Sequence, residues 1–148
     1  MPLIAVTRLR IRSPRFLLPF VWYTWRSFRQ AKHAAGNLAV KLRKAEGFAF
    51  WTMTMWQDES AMSAYRITPP HRHAMPHLLK WCDEAAVVHW NQESSELPDW
   101  ETAEKRMAES GRLSKVNHPS TDQQAGRLDF IRSNKAEQGA APDPRGMN

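Results

Sequence analysis

Cysteine is almost missing from this sequence: Cys82 stands alone among 148 residues. That excludes an intramolecular disulfide framework and a cysteine-rich zinc site, and a reducing compartment is the default expectation. Long apolar runs are also missing, and nothing approaches the roughly 20 residues needed to cross a bilayer. Arg8, Arg10 and Arg12 interrupt the first residues, so no secretory signal peptide is expected. The expected location is cytoplasmic, with peripheral membrane association as the alternative. Acidic residues are scarce at first: residues 1–56 hold only Glu46 against ten Lys and Arg. Residues 57–110 reverse the sign, with ten acids against five bases. Two readings of this imbalance stay open. A basic half can face an anionic partner, or it can pack beside an acidic half of the same chain or a second copy.

What the chain has in abundance is tryptophan, seven residues of it. Hydrophobic residues make up 42% and charged residues 24%, the balance of a globular domain rather than a disordered chain. Alternation predicts a strand over Leu3 to Arg12, with Leu3, Ala5, Thr7, Leu9 and Ile11 on one face and the arginines on the other. A helical period follows to Ala35, carried by Leu17, Val21, Trp25 and Phe28, and Gly36-Asn37 ends it. Strands are predicted over Leu38–Lys44, Phe48–Trp56 and Glu84–Gln92. Asp58 is a candidate N-cap for a short helix bearing Ala61, Met62 and Tyr65. A second helix restarts after Thr68-Pro69-Pro70, and Pro76 is expected to kink or re-start it. Pro98-Asp99 opens a C-terminal helix whose inward stripe is Trp100, Ala103 and Met107.

The order β-α-β-β-α-β is that of a ferredoxin-like α+β sheet. Residues 1–92 form the expected domain, 93–120 a C-terminal helix and extended arm, and 121–148 a polar tail expected to be disordered.

The segment Phe50-Trp51-Thr52-Met53-Thr54-Met55-Trp56-Gln57-Asp58-Glu59 resembles the strand-to-helix junction of antibiotic-biosynthesis-monooxygenase-like proteins, the dimeric α+β barrel superfamily. Pro70-His71-Arg72-His73-Ala74-Met75-Pro76 and Trp81-Cys82-Asp83-Glu84-Ala85 extend the likeness. The resemblance is to a bacterial branch, with distant similarity to spheroidene monooxygenase, a haem-associated carotenoid oxygenase. It implies a homodimer and a hydrophobic small-molecule ligand. The superfamily includes cofactor-free oxygenases, haem-using enzymes and proteins without known catalysis, so the cofactor stays open between haem and none, and catalysis itself stays open.

Candidate site residues follow. His71, beside Arg72 at a helix start, aligns with a Pro-His or Ala-His step in the resemblance; both are the expected catalytic residues, as haem ligand, acid/base group or anion anchor. The plain alternative is a helix-start histidine bonded to backbone. Trp51, Trp56, His77, Trp81 and His89 are the expected ligand-binding residues, the tryptophans serving as pocket walls or, equally, as core. His73 and His77 share a helix face, but no third ligand completes a zinc signature, so no metal site is expected. Cys82, followed by Asp83 and Glu84, is expected to be inert. The dense aromatic stretch Phe16–Trp25, bordered by Arg15, Arg26, Arg29 and Lys32, reads as a helix covering the sheet or as one lying on an anionic membrane. No recognition motif accompanies the basic strand, and no nucleic-acid partner is expected.

Overall fold

The structure, a computed structural model, describes residues 1–128. Alternating apolar and polar side chains make β1 (Leu3–Ile11), which is followed by a 3-10 turn at Pro14–Phe16 and by α1 (Leu17–His33). Gly36, at φ 82°, turns the chain into β2 (Asn37–Lys44), and β3 (Ala49–Trp56) runs back beside it. A Cβ at position 36 would meet the Ala61 Cβ, so glycine serves both the turn and the close approach. Asp58 caps α2 (Glu59–Ile67) by accepting from the Ala61 N–H at 2.8 Å. Then come α3 (His71–Trp81) and β4 (Cys82–Asn91). Asp99 caps α4 (Trp100–Ser110) in the same way, through the Thr102 N–H. A two-residue β5 (Arg112–Leu113) and a short α5 (Thr121–Gln124) complete the described chain.

The strands form one antiparallel sheet in the order β2-β3-β1-β4-β5. The first four reproduce the ferredoxin-like arrangement, an α+β fold. Helices α1, α2 and α3 lie over one face. The other face carries Ile4, Val6, Trp51, Met53, Met55 and Val88, closed over by Ala103 and Met107 of α4. The two capped helices and the strand order agree with the sequence reading.

Four details differ from it. In α1 the buried residues are Phe20, Ser27 and Ala31, whereas Val21 and Trp25 of the expected stripe face outward. Hydropathy selects the more apolar stripe, but the packed stripe is the one with small and hydroxylated residues, which lets the helix sit close to its neighbours. Helix α3 runs through Pro76 as one element rather than re-starting there, with the proline on its exposed side, where water can reach the Arg72 carbonyl that the proline cannot bond. Ile4 and Val6 put a second apolar row on β1, opposite the expected one. Residues 121–124, expected within a disordered tail, form α5: buried Gln123 donates to the Ser114 carbonyl at 2.7 Å and accepts from the Ala85 N–H. The rest of that expected tail, residues 129–148, lies outside the described residues.

Part of the charge imbalance is settled inside the chain. Arg8 is buried and meets Glu84 at 2.9 Å, and Ser120 donates to the other Glu84 oxygen. Arg10 holds Asp83 through two bonds of 2.9 and 2.8 Å. The basic first strand and the acidic start of β4 therefore neutralise each other, as the intrachain reading of the imbalance requires. No helix among the described residues is long and apolar enough to cross a membrane.

Candidate functional site

Antiparallel register aligns side chains into rows across the helix-covered face. One row runs Val40, Thr54, Ala5, His89; the next runs Leu42, Thr52, Thr7, Val87, Arg112. The middle of each row is small or hydroxylated. These residues leave space beneath the helices that larger side chains would fill.

That space is a cavity of about 240 Å³. Tyr23, Thr24, Ser27, Phe28 and Ala31 of α1 roof it, with Met62 and Tyr65 of α2 and His71, Ala74 and Leu78 of α3. Trp56 closes one wall, its indole N–H donating to the Thr54 hydroxyl at 2.8 Å. Arg66, at the end of α2, and Arg112, on β5, line it as well.

Gln30 ties the roof together. Its side-chain NH2 donates to the carbonyls of Tyr65 and Thr68, and its oxygen accepts from the His71 N–H at 2.7 Å. The His71 ring is fixed in turn by Nδ1, 3.3 Å from the Arg66 carbonyl, and lies 4.7 Å from the Tyr65 ring, centroid to centroid. A carbonyl only accepts, so Nδ1 carries the proton and Nε2 keeps the lone pair. Burial, and then the Arg66 charge, push the His71 pKa below its ordinary value, with the carbonyl bond opposing. Burial also pushes His89 down, helped by Arg66 and Arg112 and opposed by Glu59. Both imidazoles are thus held toward the neutral form, which accepts a proton. Burial raises the Tyr65 pKa, and its hydroxyl donates to the Ser27 carbonyl at 3.2 Å.

Three of the seven residues singled out from sequence meet at this cavity: Trp56, His71 and His89. The other four do not. Trp51 lies on the opposite face, edge-on to Trp100 and under the Arg43 guanidinium. Arg72 is exposed and off the cavity lining. His77 is exposed and stacks on Trp81 at 5.0 Å, and Trp81 is packed with Ile11, Phe20 and Cys82. Among the described residues, no three His, Cys, Asp or Glu side chains gather closely enough to hold a metal ion. Cys82 is buried, and burial followed by Asp83 pushes its thiol up to about 12, so it stays protonated at neutral pH.

Sequence reading missed Tyr65, Arg66, Arg112 and the threonine floor as site residues. Same-face spacing of Thr52 and Thr54 was available as a signal; the position of Arg112 depends on a long-range pairing and was not.

The fold has close counterparts among solved structures. An antibiotic biosynthesis monooxygenase shares it at 15% identity and a TM-score of 0.56, over 62% of this chain and 99% of that one. SnoaB, a cofactor-independent oxygenase from Streptomyces nogalater, matches at 13% identity and a TM-score of 0.54, over 66% and 98%. The fold is that of the antibiotic biosynthesis monooxygenase-like proteins. Rv0793 from Mycobacterium tuberculosis shares it too, at 12% identity and a TM-score of 0.58, over 64% and 97%. No protein-family model and no curated protein matches the chain. At such identities the monooxygenase-like likeness concerns the backbone, and the side chains of the cavity have to be argued on their own.

The cavity lies at the small end of the roughly 300–1,000 Å³ of ligand sites.

Proposed function

We propose that the chain binds a small, mainly apolar molecule in the cavity beneath α1, α2 and α3. Trp56 and the roof side chains enclose it, His71 accepts a proton from it, and His89 makes a second polar contact. Oxidation of the bound molecule is the activity that the monooxygenase-named structures bring to this reading. The observation that carries the proposal is an apolar space bordered by a neutral imidazole whose Nδ1 is tied to a carbonyl, leaving the lone pair on Nε2. Removing a substrate proton is the chemistry such a group supplies.

N-phenyl-1-naphthylamine, a neutral probe that brightens in apolar sites, tests the binding. Its fluorescence rises with the wild type and is lost in Thr52→Leu, which fills the floor. Equal brightening in both proteins sinks the proposal. The homodimer belongs to the same reading. With α4 covering one sheet face, a second copy has the outer side of α4, the β2 edge or the outer side of α1 to pack on. Sedimentation velocity at micromolar concentration tests it, and a monomer alone ends it.

One further observation favours a peripheral membrane role. Leu18, Val21, Trp22 and Trp25 are exposed on α1, with Leu18 at 83%, beside Arg15, Arg26 and Arg29, and α1 contains no acidic residue. An exposed aromatic face flanked by cations matches an anionic lipid interface. The chain then pellets with phosphatidylglycerol vesicles at low salt, and Trp22→Ser weakens the effect. No pelleting at low salt removes this reading.

A further inference from the structure

One end of the cavity differs from the rest in charge. The pairing of β4 with β5 sets Arg112 opposite Val87, one residue pair along from the row that contains His89. Leu113 packs into the core on the other face, so alternation holds Arg112 on the cavity side. Arg66 reaches the same cavity from α2, and its own carbonyl is the group that fixes His71. Neither arginine forms an ion pair among the described residues, a trait shared with Arg15, Arg26 and Arg29; what sets these two apart is that both line the cavity and both act on His89. A basic residue in the last turn of α2 has an ordinary role beside the helix dipole, but that accounts for Arg66 alone. Arg112 sits on a two-residue strand with no helix end to complement. Glu59 is the acidic group that opposes the pair at His89.

We propose that the ligand of this cavity is an amphipathic anion. Its apolar body lies over the Ala5, Thr7, Thr52 and Thr54 floor, and its negative group lies between Arg66 and Arg112, beside His89. The proposal rests on the small-molecule reading above and adds the class of ligand. Two exposed guanidiniums at the rim draw a carboxylate, sulfonate or enolate oxygen toward the neutral imidazole, while the enclosed walls exclude a fully polar anion.

Two probes with the same ring system separate the charge from the cavity. 1-Anilinonaphthalene-8-sulfonate carries an anionic group, and N-phenyl-1-naphthylamine lacks it. The wild type binds the sulfonate more tightly, and added salt narrows the difference. Arg66→Gln with Arg112→Gln weakens the sulfonate by about five- to twenty-fold, in keeping with exposed rim charges, and weakens the neutral probe far less. Equal affinity for both probes, or a sulfonate affinity that ignores the two substitutions, overturns the anion proposal while the cavity reading stands. Ala74→Phe and Thr52→Leu, which fill the space from roof and floor, abolish both signals. Should Ala74→Phe fail to fold, Thr52→Leu decides alone. Sulfonate fluorescence that survives in the filled protein while the neutral probe is lost comes from elsewhere, such as the outer side of α1, and overturns the anion proposal; survival of both signals overturns the reading beneath it as well.

Discussion

The two faces of one sheet have been given opposite tasks. On the α4 side, the central strands present Ile4, Val6, Trp51, Met53 and Met55, and Met107 closes over them with none of these side chains appreciably exposed. On the α1–α3 side, the same strands present Ala5, Thr7, Thr52 and Thr54, and a cavity opens above them. Period-two alternation lets a single stretch, Trp51-Thr52-Met53-Thr54-Met55, build the solid face and the hollow one together. Both faces are anchored by buried clusters, the second by Phe20, Trp81 and Cys82 at one end and Leu3, Trp56 and Met62 at the other, with the cavity left between them.

The largest break in this contrast comes from the solid face. Trp51→Ala removes a buried indole from between Met53 and Trp100 and costs about 3–5 kcal/mol, read from the urea midpoint. Thr52→Leu, on the hollow face, changes stability by less than about 1.5 kcal/mol but abolishes probe binding, since it fills space rather than emptying it. A strong loss of stability in Thr52→Leu would show that the cavity is tightly packed after all. A smaller effect is expected from pH. His71 and His89 have folded pKa values below their unfolded ones, so the unfolded chain takes up protons first. Their contribution is fully present above about pH 6.5 and is lost as pH falls through the unfolded value toward the folded ones. Melting temperatures between pH 7 and 5 therefore drop more steeply in the wild type than in His71→Gln with His89→Gln; parallel curves would contradict this. Smallest of all, Leu18→Ala lies outside both faces and shifts stability by less than about 0.5 kcal/mol.

The sequence disclosed the architecture because its signals are local. Asp58 and Asp99 announce their helices through side chains that bond three residues on, and strand alternation needs no knowledge of the partner. The site was harder to read. Trp51 and Trp56 stand five residues apart on one strand, so alternation sends them to opposite faces, and only one can wall the cavity. That parity was present in the sequence; what each face would meet was not. In α1, hydropathy favoured Val21 and Trp25, whereas packing uses Phe20, Ser27 and Ala31, because a small residue lets a helix approach and a large one holds it off. Arg112 could not be placed at all, since a two-residue strand acquires its neighbours only when the chain returns to β4 from more than twenty residues away.

Gln30 gives the hollow face a mechanical property that the solid face obtains from packing. Its one carboxamide holds two carbonyls and one amide across the corner where α2 gives way to α3, and all three anchor points belong to backbone. The corner therefore cannot lift away from α1 by rotating a side chain of its own. Three bonds must part together, and with the bond from the Tyr65 hydroxyl to the Ser27 carbonyl they fasten the roof of the cavity to α1.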